Sequence, residues 1–290
     1  MKNTILFLFA VIPLMLSAAE YQPDAKVIYK TIGETELSLH QYTPEGLQAS
    51  DKRPAIVFFF GGGWSSGNPK QFYQQARQFA DMGLVTFSAE YRVRSRNKTT
   101  PFDAVEDAKS AIRWVRAHAA ELGVDPDRIV ASGGSAGGHI AGCTGVIVGL
   151  EAKGEDLSVS SVPNAMVLYN PVLDTTKKGY GLKQVTEARK TEVSLTHQVR
   201  PNVVPSIVFH GTGDTTVPFE NAERFTRLMT KAGNRCELKA FEGQGHGFFN
   251  STFFQAKRKT VTYDQIINDT VTFLSSLGYI ETSCKDVVSE

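Results

Sequence analysis

Residues 54–60, Pro-Ala-Ile-Val-Phe-Phe-Phe, carry no polar side chain, and they run directly into Gly61-Gly62-Gly63. A strand with one wet face alternates polar and apolar residues. A continuous apolar run needs cover on both faces, the condition of an interior strand in a parallel sheet. Similar short runs recur at 84–89, 128–132, 165–168, 205–210 and 237–241. Between them lie helical stretches: a polar one near 71–81, then 101–122, 218–231 and 261–277. In 101–122 the apolar residues Phe102, Val105, Ala108, Ile112, Val115, Ala119 and Leu122 recur every three or four positions. Thr100 can cap that helix, Pro101 suits its first turn, and Gly123 can end it. Strands alternating with helices across short turns predict an α/β fold, a mainly parallel central sheet with helices on both faces. Residues 26–31 and 36–42, alternating around Gly33, predict an antiparallel hairpin at the sheet edge.

The run at 128–132 ends in Gly133-Gly134-Ser135-Ala136-Gly137, followed by small residues able to continue as a helix. A Gly-x-Ser-x-Gly between strand and helix is a nucleophile elbow. Its sharp turn lifts the serine hydroxyl off the sheet and leaves the next amide, that of Ala136, at a helix start. A serine hydroxyl attacks poorly until a base takes its proton, and the base needs a third group to hold its tautomer. Of six histidines, His40 falls in the hairpin, His118 in the long helix, His139 one turn beyond the elbow, His197 in a polar stretch and His210 at a buried strand end. Only His246 sits in a glycine-flanked loop after the last strand, Gly243-Gln244-Gly245-His246-Gly247. The acid is expected on a loop between serine and histidine. Asp214, after His210-Gly211-Thr212-Gly213, fits that place, and Asp174 after the preceding strand is its rival. The triple glycine 61–63 lets bare backbone amides approach an oxyanion, where a donor contributes roughly 3 kcal/mol.

From residue 54 to the last helix the chain resembles an α/β-hydrolase of the esterase/lipase group, and is most similar to the bacterial acetyl and feruloyl xylan esterases. Phe58-Phe59-Phe60-Gly61-Gly62-Gly63-Trp64, Glu90-Tyr91-Arg92 and His210-Gly211-Thr212-Gly213-Asp214 carry the resemblance. It implies that Ser135, Asp214 and His246 form a triad, with the amides of Gly62, Gly63 and Ala136 as oxyanion donors. Phe60 stands where many of these enzymes have a histidine that braces the glycine loop. The difference changes the support of the loop and not the chemistry.

The first residues read as a secretory signal peptide over 1–19: one lysine, an apolar core from Ile5 to Leu16, then small residues at Ser17 and Ala19. The expected product is a periplasmic or secreted protein, residues 20–290 forming one α/β-hydrolase domain with no membrane association after cleavage. Residues 173–203, polar and without strong period, predict a short insertion over the sheet edge, the one stretch long enough to roof the site. Positive and negative side chains nearly cancel at +1, and no basic block suggests nucleic acid. Cys143 reads as a buried thiol. Cys236 and Cys284 are the remaining cysteines, and nothing in their spacing demands a bridge. No Cys/His pair has zinc spacing, and the mechanism requires no cofactor.

Trp64 and Phe248 are the expected substrate-facing aromatics, with Phe60 and Phe249 nearby. The expected activity is a serine carboxylesterase that removes small acyl groups, acetyl or feruloyl in type, from a small ester or an acylated carbohydrate. A serine peptidase on the same machinery and a catalytically silent binding protein are the alternatives.

Overall fold

The computed structural model describes residues 21–256 and 260–281. The signal-peptide expectation and Cys284 lie outside the described residues. The strands are β1 (Ala25–Ile32), β2 (Thr35–Tyr42), β3 (Arg53–Phe59), β4 (Val85–Ala89), β5 (Val124–Gly134), β6 (Ala165–Tyr169), β7 (Ser206–Gly211) and β8 (Cys236–Phe241). They form one sheet in the order β1-β2-β4-β3-β5-β6-β7-β8. Pairings β1–β2 and β2–β4 are antiparallel, and every pairing from β4 to β8 is parallel. The predicted parallel sheet and edge hairpin are both present.

The helices are α1 (Tyr73–Asp81), α2 (Arg94–Asn97), α3 (Pro101–Ala117), α4 (Ala136–Val146), α5 (Leu182–Val185), α6 (Leu195–Gln198), α7 (Phe219–Lys231) and α8 (Thr260–Ser275). Two apolar clusters cover the two faces of the sheet. One gathers Val105, Ile112, Ile140 and Leu195, and the other Phe58, Phe72, Phe79, Ile266 and Phe273. The alternation of a run such as Ala55-Ile56-Val57-Phe58 sends successive side chains to opposite clusters, so neither face of that strand meets water.

Helix α3 stops at Ala117, short of the predicted 122. The apolar period outlasts the helix because residues 118–124 keep helix-like bonds, Leu122 N–H to His118 O at 3.0 Å and Val124 N–H to Ala119 O at 2.8 Å. Helix α4 is buried along its whole length. Its glycines make that approach feasible: a Cβ on Gly137 would lie 2.0 Å from the carbonyl oxygen of Phe59. Among the described residues no helix is long and apolar enough to cross a membrane.

The segment 173–203 differs from the expected polar roof. Leu173, Val185, Val193 and Leu195 are fully buried in the first cluster, and only Tyr180 from this stretch reaches the cleft described below. Val185 and Leu195 sit on helices of four residues and Leu173 and Val193 on irregular chain, so they show no period in the sequence although they fill the core.

His139, on α4, is fully buried, and its Nε2–H donates to Val193 O at 2.7 Å. Burial drives its pKa from 6.5 down to about 4, the carbonyl only partly opposing it. The unfolded chain therefore binds a proton that the native state refuses as pH falls from about 6.5 toward 4, so stability declines with acid in that window. Between pH 7 and 4.5 wild type is expected to lose about 2 kcal/mol more than His139→Gln, which keeps a donor for Val193 but does not titrate. Urea unfolding of both proteins at the two pH values measures this, and equal losses would refute it.

Candidate active site

In a parallel sheet all strands end on one side, so the loops after β3, β5, β6, β7 and β8 meet along one edge. They carry, in order, Gly61–Gly63, Ser135, Asn170, Asp214 and His246. Ser135 begins α4 with φ 57° and ψ −121°, a conformation non-glycine residues rarely adopt. Hydrogen bonds hold it there. Its N–H donates to Tyr169 O at 2.9 Å, and its carbonyl accepts from Val172 N–H at 3.2 Å and His139 N–H at 2.9 Å.

The structure brings Ser135, His246 and Asp214 together from three loops. His246 Nε2 lies 2.9 Å from Ser135 Oγ, and His246 Nδ1 lies 2.7 Å from Asp214 Oδ2. The consistent protonation has Nδ1–H donating to the carboxylate and Nε2 accepting from the hydroxyl. Asp214 Oδ1 accepts from the amides of Thr216 at 2.8 Å and Val217 at 2.9 Å. Burial raises the carboxyl pKa. Bonds from His210, His246 and the Val217 amide outweigh that and hold it well below the usual carboxylate range. The buried His210 stands 3.4 Å from Oδ2 and also donates Nε2–H to Val217 O at 3.0 Å. Asp174, the rival acid, is elsewhere: fully buried, it pairs with Arg224 Nη1 at 2.8 Å.

After β3 the chain curls on itself, Gly62 O accepting from Ser65 N–H at 3.0 Å and Ser66 N–H at 3.2 Å. Gly62 has φ 126°, and a Cβ there would lie 2.3 Å from Ser66 O, so the curl demands glycine. Within the described residues the amides of Gly62, Gly63 and Ala136 meet no hydrogen-bond acceptor. Gly62 and Gly63 line the cleft with Ser135, while the Ala136 amide opens α4, where the helix dipole favours negative charge.

Two expected substrate-facing residues do not face the cleft. Trp64 is 1% exposed, with its ring edge-on to His139 at 5.0 Å and tilted against Tyr180 at 5.9 Å. Phe248 is 2% exposed and packs on Phe241 at 4.9 Å. Both rings are buried in the body of the protein. Phe60 likewise stacks on Tyr91 at 4.1 Å. The aromatics that do line the open cleft, of about 510 Å³, are Tyr180, Phe249 and Phe254.

Sequence reasoning missed Asn170 as a neighbour of the base. It is fully buried, with φ 30°, and its Nδ2 lies 3.2 Å from His246 Nδ1. Asn170-Pro171 at the end of an apolar run was the available signal. It also missed Gln71 and Asn250, which line the cleft behind the glycine loop. Gln71, Gln74, Gln75 and Gln78 recur at helical spacing, a polar stripe where an apolar one is usual. Among the described residues no cluster of three or more His, Cys, Asp or Glu could hold a metal ion.

Comparison with known proteins completes the description. Residues 39–178 match the BD-FAE family, and residues 164–274 the dienelactone hydrolase family. The chain is 30% identical over 216 residues to esterase LipC of Mycobacterium tuberculosis, covering 67% of this chain and 53% of LipC. It is 26% identical over 239 residues to an acetylxylan esterase of Xylanibacter ruminicola, covering 77% of this chain and 45% of that protein. It thus spans about half the length of these curated relatives. Among solved structures it is similar to Thermogutta terrifontis esterase 2 phosphoramylated by tabun. That match has 48% identity and a TM-score of 0.84, and covers 89% of this chain and 96% of the other. The same esterase is known phosphorylated by paraoxon and with propionate or butyrate bound.

Proposed function

The chain belongs to the esterases of the α/β-hydrolase fold, and from that premise we propose that it is an exported serine carboxylesterase that removes small acyl groups from carbohydrate. The observation that carries the mechanism is the unbroken line of hydrogen bonds from Ser135 through His246 to Asp214. The Oγ–H proton passes to His246 Nε2 as Oγ attacks the ester carbonyl carbon. The carbonyl π pair moves onto oxygen, where the amides of Gly62, Gly63 and Ala136 receive the charge. The tetrahedral species collapses to an acyl-Ser135 ester. The departing alkoxide takes the proton back from Nε2–H. Water then repeats the sequence and releases the acid. Asp214, ionised far into the acid range, steadies the imidazolium at each stage. Paraoxon delivers a phosphoryl group to an activated nucleophile, so its adduct with the Thermogutta esterase supports the same chemistry here.

A small acyl group is favoured by Phe249. Its ring lies against the backbone of Gly134 beside the nucleophile, where an added Cβ would come within 2.1 Å of it. It is wedged by Tyr169 and Phe72, stacked at 5.4 and 5.8 Å, so it yields little room. The propionate and butyrate complexes of the Thermogutta esterase support the same size class. A carbohydrate alcohol is supported by the polar rim of Ser66, Asn68 and Thr216, by the half-exposed Phe254 as a stacking face, and by the name of the Xylanibacter relative. Export rests on the leader-like sequence of residues 1–19.

The test is a series of p-nitrophenyl esters of rising chain length beside acetylated and feruloylated xylan. Each methylene buried contributes only about 0.8 kcal/mol, so long chains gain nothing without a broad apolar surface. Catalytic efficiency is expected to peak between acetyl and butyryl and to fall steeply by octanoyl, with acyl release from at least one xylan. Efficiency climbing to decanoyl would make this a lipase-like enzyme and overturn the carbohydrate reading.

A further inference from the structure

Gln71 precedes α1 in a short 3-10 turn (Pro69–Phe72) and is 8% exposed. Its Oε1 accepts from Gly61 N–H at 2.6 Å, and its Nε2–H donates to Asn250 Oδ1 at 2.8 Å. Asn250, itself 2% exposed, returns to the histidine loop: both its side-chain Nδ2 and its backbone N–H donate to Gly247 O, at 2.9 and 3.1 Å. Two side chains thus join the first glycine of the oxyanion loop to the residue after His246. The same helical face continues the attachment. Gln74 Oε1 accepts from Phe253 N–H at 3.3 Å, Gln75 Nε2–H donates to Phe249 O at 3.3 Å, and Gln78 Oε1 accepts from Tyr263 O–H at 2.5 Å.

We propose that Gln71, acting with Asn250, is the positioning residue that fixes the oxyanion amides and the catalytic histidine in register with one another. It rests on the esterase reading above. Three observations carry it. The loop after β3 is glycine at three successive positions, so Gly61 to Gly63 bring no side chain of their own to hold it, and the bond from Ser65 Oγ–H at 3.2 Å reaches only Gly63 O, not Gly61. Phe60, which precedes it, is an apolar ring stacked on Tyr91 and offers the loop no hydrogen bond. The Gly61 site is also tight: a Cβ there would lie 3.3 Å from Ser135 Cβ and 3.5 Å from Gln71 Oε1, so a shift of Gly61 is felt at the nucleophile. An amide suits the task because it accepts from one loop and donates to the other while carrying no charge, leaving the field at the imidazole unchanged. Gln71, Gln74 and Gln75 are thereby explained as the seat of the loop that follows His246, while Gln78 ties α1 to α8.

The experiment compares wild type with Gln71→Leu, Gln71→Glu and Asn250→Ala on p-nitrophenyl acetate, separating kcat from KM, and measures inhibition by an alkylboronic acid that mimics the tetrahedral species. A loop displaced by about 1 Å costs on the order of 100-fold in rate, and a lost oxyanion donor 100- to 1000-fold. Gln71→Leu is expected to lower kcat about 30- to 100-fold, with KM within about threefold and boronate affinity falling in step with kcat/KM. Gln71→Glu keeps an acceptor for Gly61 N–H but has no donor for Asn250 Oδ1, so it cuts only the second link and is expected to lose clearly less kcat than Gln71→Leu. Asn250→Ala, which also cuts the second link, is expected to lose less than Gln71→Leu as well, and it decides the matter if Gln71→Leu does not fold. A folded Gln71→Leu within threefold of wild-type kcat, equal losses in Gln71→Leu and Gln71→Glu, or a loss confined to KM would overturn the proposal. With Gln71→Leu unfolded, an unchanged kcat in Asn250→Ala does the same. Wild-type protein inert toward every ester overturns the esterase reading as well, which keeps the two failures distinct.

Discussion

Ser135→Ala is expected to fold as wild type and to lose ester turnover by on the order of 10⁶, the scale seen when the serine of such a triad is removed. The substitution deletes one oxygen whose partner is His246, and that histidine keeps its bond to Asp214 at 2.7 Å. Replacing serine by alanine leaves the φ of 57° to be met by another residue with a Cβ, so the backbone strain of the turn is unchanged. Steady-state hydrolysis of p-nitrophenyl acetate, beside mass spectrometry after exposure to paraoxon, measures both sides of the claim. Wild type is expected to gain one diethylphosphoryl group on the peptide containing Ser135, and the variant none. Turnover above about a tenth of wild type would remove Ser135 from the role of nucleophile.

Asp214→Asn is expected to lower kcat by about 10⁴, because an amide nitrogen facing Nδ1 favours the tautomer in which Nε2 carries the proton and cannot accept one. The carboxylate is held ionised far below the usual range, so protonation of Asp214 does not shape the acid limb of the wild-type rate profile. Asp174→Asn is the control. It weakens a pair between a buried carboxylate and the partly exposed Arg224, away from His246, and is expected to alter stability while leaving kcat within a few-fold. Thermal unfolding and kcat of both variants decide between them. A larger kcat loss in folded Asp174→Asn than in folded Asp214→Asn would return the acid to position 174.

The sheet was legible because its signals are local. An apolar run such as 54–60 states that both faces of its strand are covered, whatever covers them. A strand–Gly-x-Ser-x-Gly–helix sequence states that the chain must turn sharply. Chain order then puts the candidate serine, acid and histidine on strand-end loops, and in a parallel sheet those ends share one edge. The structure adds the close contacts that make the pattern necessary, such as the 2.0 Å approach a Cβ on Gly137 would make to Phe59 O.

Side-chain direction beyond a turn is not local, and there the sequence was silent or misled. Trp64 and Phe248 follow glycines beside the site, yet both rings turn into the core, and Phe249 alone of that pair of phenylalanines meets the cleft. Residues 173–203 look polar in sequence, although Val185, Val193 and Leu195 are buried because α3 and α4 leave an apolar surface for them to cover. The link from Gln71 to Asn250 joins residues 179 apart in the chain. The sequence alone determined which residue types stand at the strand ends, since hydrophobic period and glycine turns act within a few positions. Tertiary structure alone decided which of them face the substrate and what braces them. Those contacts are short-ranged in space and unbounded in sequence separation, and they exist only once the two layers of helices have closed on the sheet.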